Sequence, residues 1–361
     1  MRLLPATDEN IKTAAALLAA GGLVAFPTET VYGLGGAAFN PAALVKIFAA
    51  KNRPRFDPLI IHIAAPETLD EVGDLSLLSP AAREMARLLT RRFWPGPLTL
   101  ILPKRRELPD LATSGLPTVA VRFPDHPAAQ KLIRLSGTAV AAPSANPFGY
   151  LSPTRAGHVR EQLGERVDII LDGGPARVGL ESTVLDLSGG PPRILRPGGL
   201  PKEEIEALIG PVAPGPASAG SAPEPPNPRS PGQLDSHYAP RTGLRLCPPE
   251  ELAALPYDPA GAYLFFGAAS RDRWLAGPGR SAVPPEAGPG SGAEAGEKRP
   301  APVRTLSETG DLTEAAANLF GLLHELDALG CARIYAEQVR GEGLGSAIND
   351  RLFRAAAKRT P

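Results

Sequence analysis

A proline-rich stretch constrains this chain more than any other feature. Between Pro211 and Pro231 eight prolines stand among small and polar residues. Proline donates no backbone hydrogen bond and holds a single φ, so neither a helix interior nor a central strand runs through such a segment. Its composition is that of an extended linker, which predicts two folded domains: residues 1–210 and 243–361, joined by 211–242. A chain of 361 residues is long for one domain and sufficient for two cores. A second Pro/Gly-rich segment, 277–302, reads as a mobile loop inside the later domain.

Apolar runs before the linker alternate with helical patterns. Strands are expected at 23–26, 59–63, 98–102, 118–122, 138–142, 168–171, 183–187 and 193–195. Helices are expected over 7–19, from Pro41 with Asn40 as cap, from Pro80, over 128–135 and over 201–209. Gly33, Gly35 and Gly36 read as a turn. The later domain shows strands at 244–246, 262–266 and 334–336, and helices near 249–255, over 312–326 and over 346–358. Both halves are α/β in pattern.

Lys plus Arg equals Asp plus Glu at 38 each, so any anion site must be local. Only Cys247 and Cys331 are present, too few for a disulfide framework or a four-cysteine zinc site. The N-terminus lacks a signal-peptide pattern, and the longest nearly apolar run, 14–26, is too short and glycine-broken to span a bilayer. A cytoplasmic protein without membrane association is the expectation. No P-loop, dinucleotide fingerprint or HExxH pattern occurs.

The densest chemistry lies between Gly21 and Ile63, where a strand runs into Pro27-Thr28-Glu29-Thr30 and a helix exits at Lys51-Asn52-Arg53-Pro54-Arg55. Hydroxyls, a carboxylate and arginine forks so close in sequence suit a small anionic ligand. Each element also has a bland reading: cations favour helix C-termini, and a histidine on an apolar strand such as His62 is commonly a satisfied core residue. Arg122 and Arg196 end apolar strands, where a guanidinium needs a partner or a ligand. Ser144-Ala145-Asn146 is a polar turn at a strand's carboxyl end, the place where ligands sit in open α/β sheets.

The motifs PTETVYGLG, KxRP followed by PLIIHI, WPGPLTLIL, TVAVRFPDHP, APSAN with LSPT, and ESTVLDL leading to ILRPG resemble, in order, those of the YrdC/Sua5 family of threonylcarbamoyl-AMP synthases. SPGQLDSHYAP and the closing EGLGSAINDRLFRAA resemble the longer, two-domain Sua5 type. The resemblance implies a YrdC-like twisted α/β domain with a concave cavity, plus a smaller C-terminal Sua5-type α/β domain. It implies a nucleotidyltransferase that converts L-threonine, bicarbonate and ATP to L-threonylcarbamoyladenylate and diphosphate, with Mg²⁺ accompanying ATP. The product would feed tRNA threonylcarbamoyltransferase machinery acting on adenosine 37 of tRNAs that read ANN codons. By motif match, Thr30, His62, Arg122, Ala142 and Ser182 would hold threonine. Lys51, Arg53, Asp57, Thr118, Ser144, Asn146, Ser152 and Arg196 would hold ATP, with Lys51 and Arg53 on the phosphates as catalytic cations. Asp57 departs from the asparagine of many relatives. His237 and Tyr238 would make the linker's end a lid over ATP.

Two rival readings belong to other classes. A non-catalytic double-stranded RNA-binding module would want a basic face, yet residues 1–212 carry 23 cationic against 21 acidic residues, a net of +2. A hydrogenase-maturation carbamoyltransferase would want paired CxxC motifs that two cysteines cannot supply.

Overall fold

The computed structural model describes residues 1–214, 230, 237–278, 280 and 301–357. Residues 215–229 and 231–236 of the expected linker, and most of the loop expected over 277–302, lie outside the described residues. The chain divides into two compact units: Met1–Phe148 with Ser152–Asp235, and Gly149–Leu151 with Ser236–Pro361. Three residues in the middle of the first unit's sequence therefore group with the second.

Among the described residues, the first unit contains β1 (Arg2–Pro5), β2 (Val24–Phe26), β3 (Gly33–Ala37), β4 (Ile60–His62), β5 (Leu98–Pro103), β6 (Thr118–Arg122), β7 (Val140–Ala141), β8 (Ile169–Asp172), β9 (Thr183–Asp186), β10 (Arg193–Arg196) and β11 (Ala213–Pro214). They form one mixed sheet in the order β1-β8-β2-β3-β7-β4-β6-β5-β9-β10-β11. Its helices are α1 (Asp8–Ala19), α2 (Pro41–Lys51), α3 (Pro80–Phe93), α4 (Asp110–Thr113), α5 (Pro127–Ser136), α6 (Ala156–Leu163) and α7 (Lys202–Ile209).

Local chemistry starts these helices. The Thr7 hydroxyl accepts from the Asn10 amide, Asn40 Oδ1 from the Ala42 and Ala43 amides, and the Ser79 hydroxyl from the Ala82 amide. Pro41 and Pro80 occupy the first turn, where a missing N–H costs nothing.

The two faces of the sheet are covered differently. One face carries Ile61, Leu100, Val121 and Leu185 and packs on residues of α2, α3, α4, α6 and α7 in the main core. The opposite face carries Val24, Phe26, Val140 and Leu171, covered by Ile11 and Leu18 of α1 and Leu132 of α5. Further along that second face, β4, β5, β6, β9 and β10 supply only Ile60, Ile101, Ala120, Val184 and Leu195, a cluster to which no helix contributes.

The glycine turn expected at 33–36 is instead strand β3, antiparallel to β2 and β7. Glycine is used here for close approach: a Cβ on Gly35 would stand 2.8 Å from Phe26 Cε1 and 2.9 Å from Val140 Cγ1. Strand β1 and helices α4 and α6 also carry no clear apolar periodicity.

The second unit has β12 (Leu244–Cys247), β13 (Gly261–Gly267), β14 (Val303–Ser307) and β15 (Arg333–Glu337), all parallel in the order β12-β15-β13-β14. Its helices are α8 (Pro249–Ala254), α9 (Ala268–Leu275), α10 (Leu312–Ala328) and α11 (Gly345–Ala356). Tyr263, Phe265 and Trp274 pack together in its core.

Gly35→Ala is expected to destabilise the chain by about 1–3 kcal/mol, the usual cost of overpacking a filled core. The urea midpoint should fall with an unchanged m-value, and an unchanged midpoint would contradict this account of β3.

Candidate active site

Strand register lines up the polar groups. Val140 of β7 pairs with His62 of β4, His62 with Arg122 of β6, Arg122 with Thr99 of β5, Thr99 with Val184 of β9, and Val184 with Arg196 of β10. Paired residues point to the same side of a sheet, so this transverse row projects onto the second face, beside the apolar cluster of Ile60, Ile101, Ala120, Val184 and Leu195. Ile60, Ala120 and Ile101, two residues away on their strands, form an apolar floor beside it.

At one end of the row the 28–31 turn presents hydroxyls. Thr28 Oγ1 donates to the Val31 carbonyl at 2.6 Å and lies 2.8 Å from Thr30 Oγ1. With its proton committed, Thr28 accepts from Thr30, whose remaining lone pairs can meet a donor. Arg122 Nη2 stands 2.6 Å from Glu29 Oε1, both side chains being buried, and its Nε donates to the Gly96 carbonyl at 3.3 Å. Glu29 Oε2 accepts the Asp125 amide at 3.0 Å. The Ala142 amide donates to the Ile60 carbonyl at 2.9 Å, which keeps the end of β7 beside His62. Ser182 Oγ lies 2.7 Å from Thr99 Oγ1, and the Ser182 carbonyl accepts from Arg196 Nη2 at 2.9 Å.

A second group gathers around the exit of α2. Lys51 Nζ donates to the Ser144 carbonyl at 2.6 Å and to the Asn146 carbonyl, while its own carbonyl accepts the Phe148 amide at 2.8 Å. One lysine thus clips both ends of the 144–148 turn. Arg53 donates to the carbonyls of Asp57 and Pro58 and pairs with the Asp57 carboxylate at 2.9 Å. Burial pushes the Asp57 carboxyl up, opposed by Arg53, Lys51 and Arg196. Burial, with Arg53 beside it, pushes the Lys51 ammonium well below its ordinary value. Ser152 Oγ donates to Glu181 Oε1, and Glu181 also acts on Lys51.

The structure therefore gathers Thr30, His62, Arg122, Ala142 and Ser182 along one row, and Lys51, Arg53, Asp57, Ser144, Asn146, Ser152 and Arg196 around one basic cluster. Thr118 lies at the start of β6, four residues before Arg122, and is half-buried. His237 and Tyr238 are buried within the second unit, where Tyr238 packs on Phe320 with ring centroids 5.8 Å apart. Three participants were passed over from sequence. Glu29 stands inside PTET but carried no role until its contact with Arg122 is seen. Thr99 enters only through strand register, and Glu181 only through its bond from Ser152.

His62 stands edge-on to Phe26, with ring centroids 6.2 Å apart, and burial reinforced by Arg122 lowers its pKa to about 3. The unfolded value of 6.5 is higher, so the unfolded chain binds the extra proton between those limits. This residue's contribution to stability is complete above about pH 6.5 and is lost as pH falls toward about 3. Imidazole NMR should show His62 neutral and without titration between about pH 5 and 8; a midpoint in that range would contradict the burial argument.

Comparison with known proteins agrees with this geometry. The Sua5/YciO/YrdC family model, described as telomere recombination, matches residues 16–198, and the threonylcarbamoyl-AMP synthase C-terminal domain model matches residues 200–357. The threonylcarbamoyl-AMP synthase of Pyrococcus abyssi is 42% identical over 359 residues, covering 97% of this chain and 95% of that protein. That of Bacillus subtilis is 41% identical over 361 residues, covering 99% of this chain and 95% of its own length. The crystal structure of P. abyssi Sua5 complexed with L-threonine aligns with a TM-score of 0.82 at 40% identity, covering 99% of this chain and 98% of that one. A variant of the same protein, with an adjacent His and Tyr both changed to Ala, aligns with a TM-score of 0.80 at 38% identity, covering 99% of this chain and 96% of that one. This chain belongs to the threonylcarbamoyl-AMP synthase family and has the two-domain Sua5 architecture.

Proposed function

We propose that the chain condenses L-threonine, bicarbonate and ATP into L-threonylcarbamoyladenylate with release of diphosphate. The observation that carries this reading is the buried set of Lys51, Arg53 and Asp57 at the exit of α2, with Arg53 paired to Asp57 at 2.9 Å, together with the hydroxyl-and-arginine row of the sheet. The row suits an amino acid: Arg122 retains its Nη1 protons for a carboxylate once Glu29 and Gly96 have taken Nη2 and Nε. The neutral His62 and the Thr30 hydroxyl offer acceptors for the ammonium and hydroxyl groups of threonine. The cationic cluster suits the triphosphate, with the 144–146 turn and Ser152 toward the nucleoside.

The chemistry is adenylyl transfer. The threonine amine adds to the bicarbonate carbon and water leaves, giving a carbamate; a carbamate oxygen then attacks the α-phosphorus, and diphosphate leaves. No protein nucleophile is required; the chain's part is to align the two substrates and neutralise the charge that builds on the phosphate oxygens. Among the described residues no group of three or more His, Cys, Asp or Glu could hold a metal ion. A magnesium ion would enter on the ATP phosphates, as part of the substrate. The adenylate is consumed by a transferase that modifies tRNA. No described helix is long and apolar enough to cross a membrane, and the reaction's substrates belong to the cytoplasm. The near-neutral charge of residues 1–212 offers no basic face to favour the double-stranded RNA reading.

Incubation with threonine, ¹⁴C-bicarbonate and ATP should yield labelled adenylate and diphosphate, and no product without threonine would exclude a simple ATPase; absence of labelled adenylate would overturn the assignment. Lys51→Met should lower turnover by about 100-fold or more. The same change should also lower the melting temperature, because the Ser144 and Asn146 carbonyls lose their donor. Full activity in that variant would remove Lys51 from the phosphate site.

A further inference from the structure

The loop that follows α2 closes on itself through one ion pair. Arg53 Nη2 stands 2.9 Å from Asp57 Oδ2 and donates to the Pro58 carbonyl at 2.8 Å, while Arg53 Nε donates to the Asp57 carbonyl at 3.1 Å. The Asp57 amide donates back to the Pro54 carbonyl at 3.2 Å. Both side chains are buried, Asp57 to 0% exposure.

A carboxylate cut off from water has to be compensated. Neutral donors do not do it here: among the described residues no amide or hydroxyl donates to either Asp57 carboxyl oxygen. Its charge is met by cations, first Arg53 in contact, then Lys51 and Arg196. Lys51 differs from Arg53 in what it touches. Its Nζ donates to the Ser144 and Asn146 carbonyls, which are neutral dipoles, whereas the Arg53 guanidinium faces a full negative charge belonging to the chain itself.

We propose that Asp57 is a resident anion in the phosphate site: it holds Arg53 in place while no nucleotide is bound and competes with the phosphates for that guanidinium when one is. The role is the reverse of the ATP contact that motif resemblance implies for this position. Two anions that share one cation repel each other, most strongly where water is excluded. Asp57 therefore weakens the grip on polyphosphates as a class while preserving the arginine's geometry. The same repulsion favours departure of diphosphate, because the carboxylate takes Arg53 back. The proposal deepens the synthase reading and rests on it for the placing of phosphates at Lys51 and Arg53.

The test is calorimetric titration of the full chain, wild type and Asp57→Asn, with ATP, diphosphate and adenosine. Asparagine keeps the shape of the side chain and removes its charge. ATP and diphosphate should each bind roughly tenfold more tightly in Asp57→Asn, while adenosine, which carries no phosphate, changes by less than about twofold. Inhibition of turnover by added diphosphate should strengthen by a similar factor. Unchanged or weaker ATP binding in Asp57→Asn would overturn the proposal, and weaker adenosine binding would overturn it in favour of a ribose contact. A merely structural role for Asp57 would not tighten the two charged ligands and spare the neutral one. A wild type that binds no ATP would overturn the synthase reading and this proposal together, whereas a wild type that binds ATP with no gain in the variant overturns this one alone. If Asp57→Asn does not fold, the same titrations on Asp57→Ser, which also lacks the charge, decide by the same criteria.

Discussion

A buried cation must be met by something, and in this molecule it is met chiefly by backbone carbonyls. Ser144 and Asn146 receive Lys51, Asp57 and Pro58 receive Arg53, Gly96 receives Arg122, and Ser182 receives Arg196. Carbonyl dipoles fix direction without cancelling charge, whereas carboxylates do both. Among the described residues Glu29 pairs with Arg122, Asp57 with Arg53, and Glu181 acts on Lys51. A site built this way is ordered in advance.

That arrangement depends on where helices are absent. Main-core residues from five helices cover one face of the large sheet, and α1 with α5 cover only part of the other. Over β4, β6, β5, β9 and β10 the second face carries the transverse row instead. A one-residue slip in any of these strands would send His62, Arg122 or Thr99 into the main core, so the pairing register is itself part of the site. Gly198 shows how tightly the end of the row is packed: a Cβ there would lie 2.3 Å from the Glu181 carbonyl oxygen.

Much of this was readable from residues alone, for identifiable reasons. Helices α1, α2 and α3 announce themselves through Thr7, Asn40 and Ser79 at their caps, and apolar strands such as β5 and β6 through continuous burial. The basic loop and the APSAN turn were legible because their residue types are unusual where they fall. Strand β3 was not, because its glycines obey the space left by Phe26 and Val140 on neighbouring strands and not a local preference. Glu29 and Thr99 were hidden for the same reason: their roles come from partners across the sheet, separated from them by many residues of chain. The burial of Arg351 was hidden more deeply, since an arginine inside AINDRL looks like an ordinary helix-surface charge.

The excursion of Gly149–Leu151 has a consequence for how the protein is made. A ribosome delivers Gly149 long before Ala239 exists to bond it. The amino-terminal half can collapse around its own core as it emerges, but its loop between Asn146 and Ser152 waits for the carboxyl-terminal half to arrive. Residues 149–151 would therefore take their final place late in biosynthesis, after both halves have been translated.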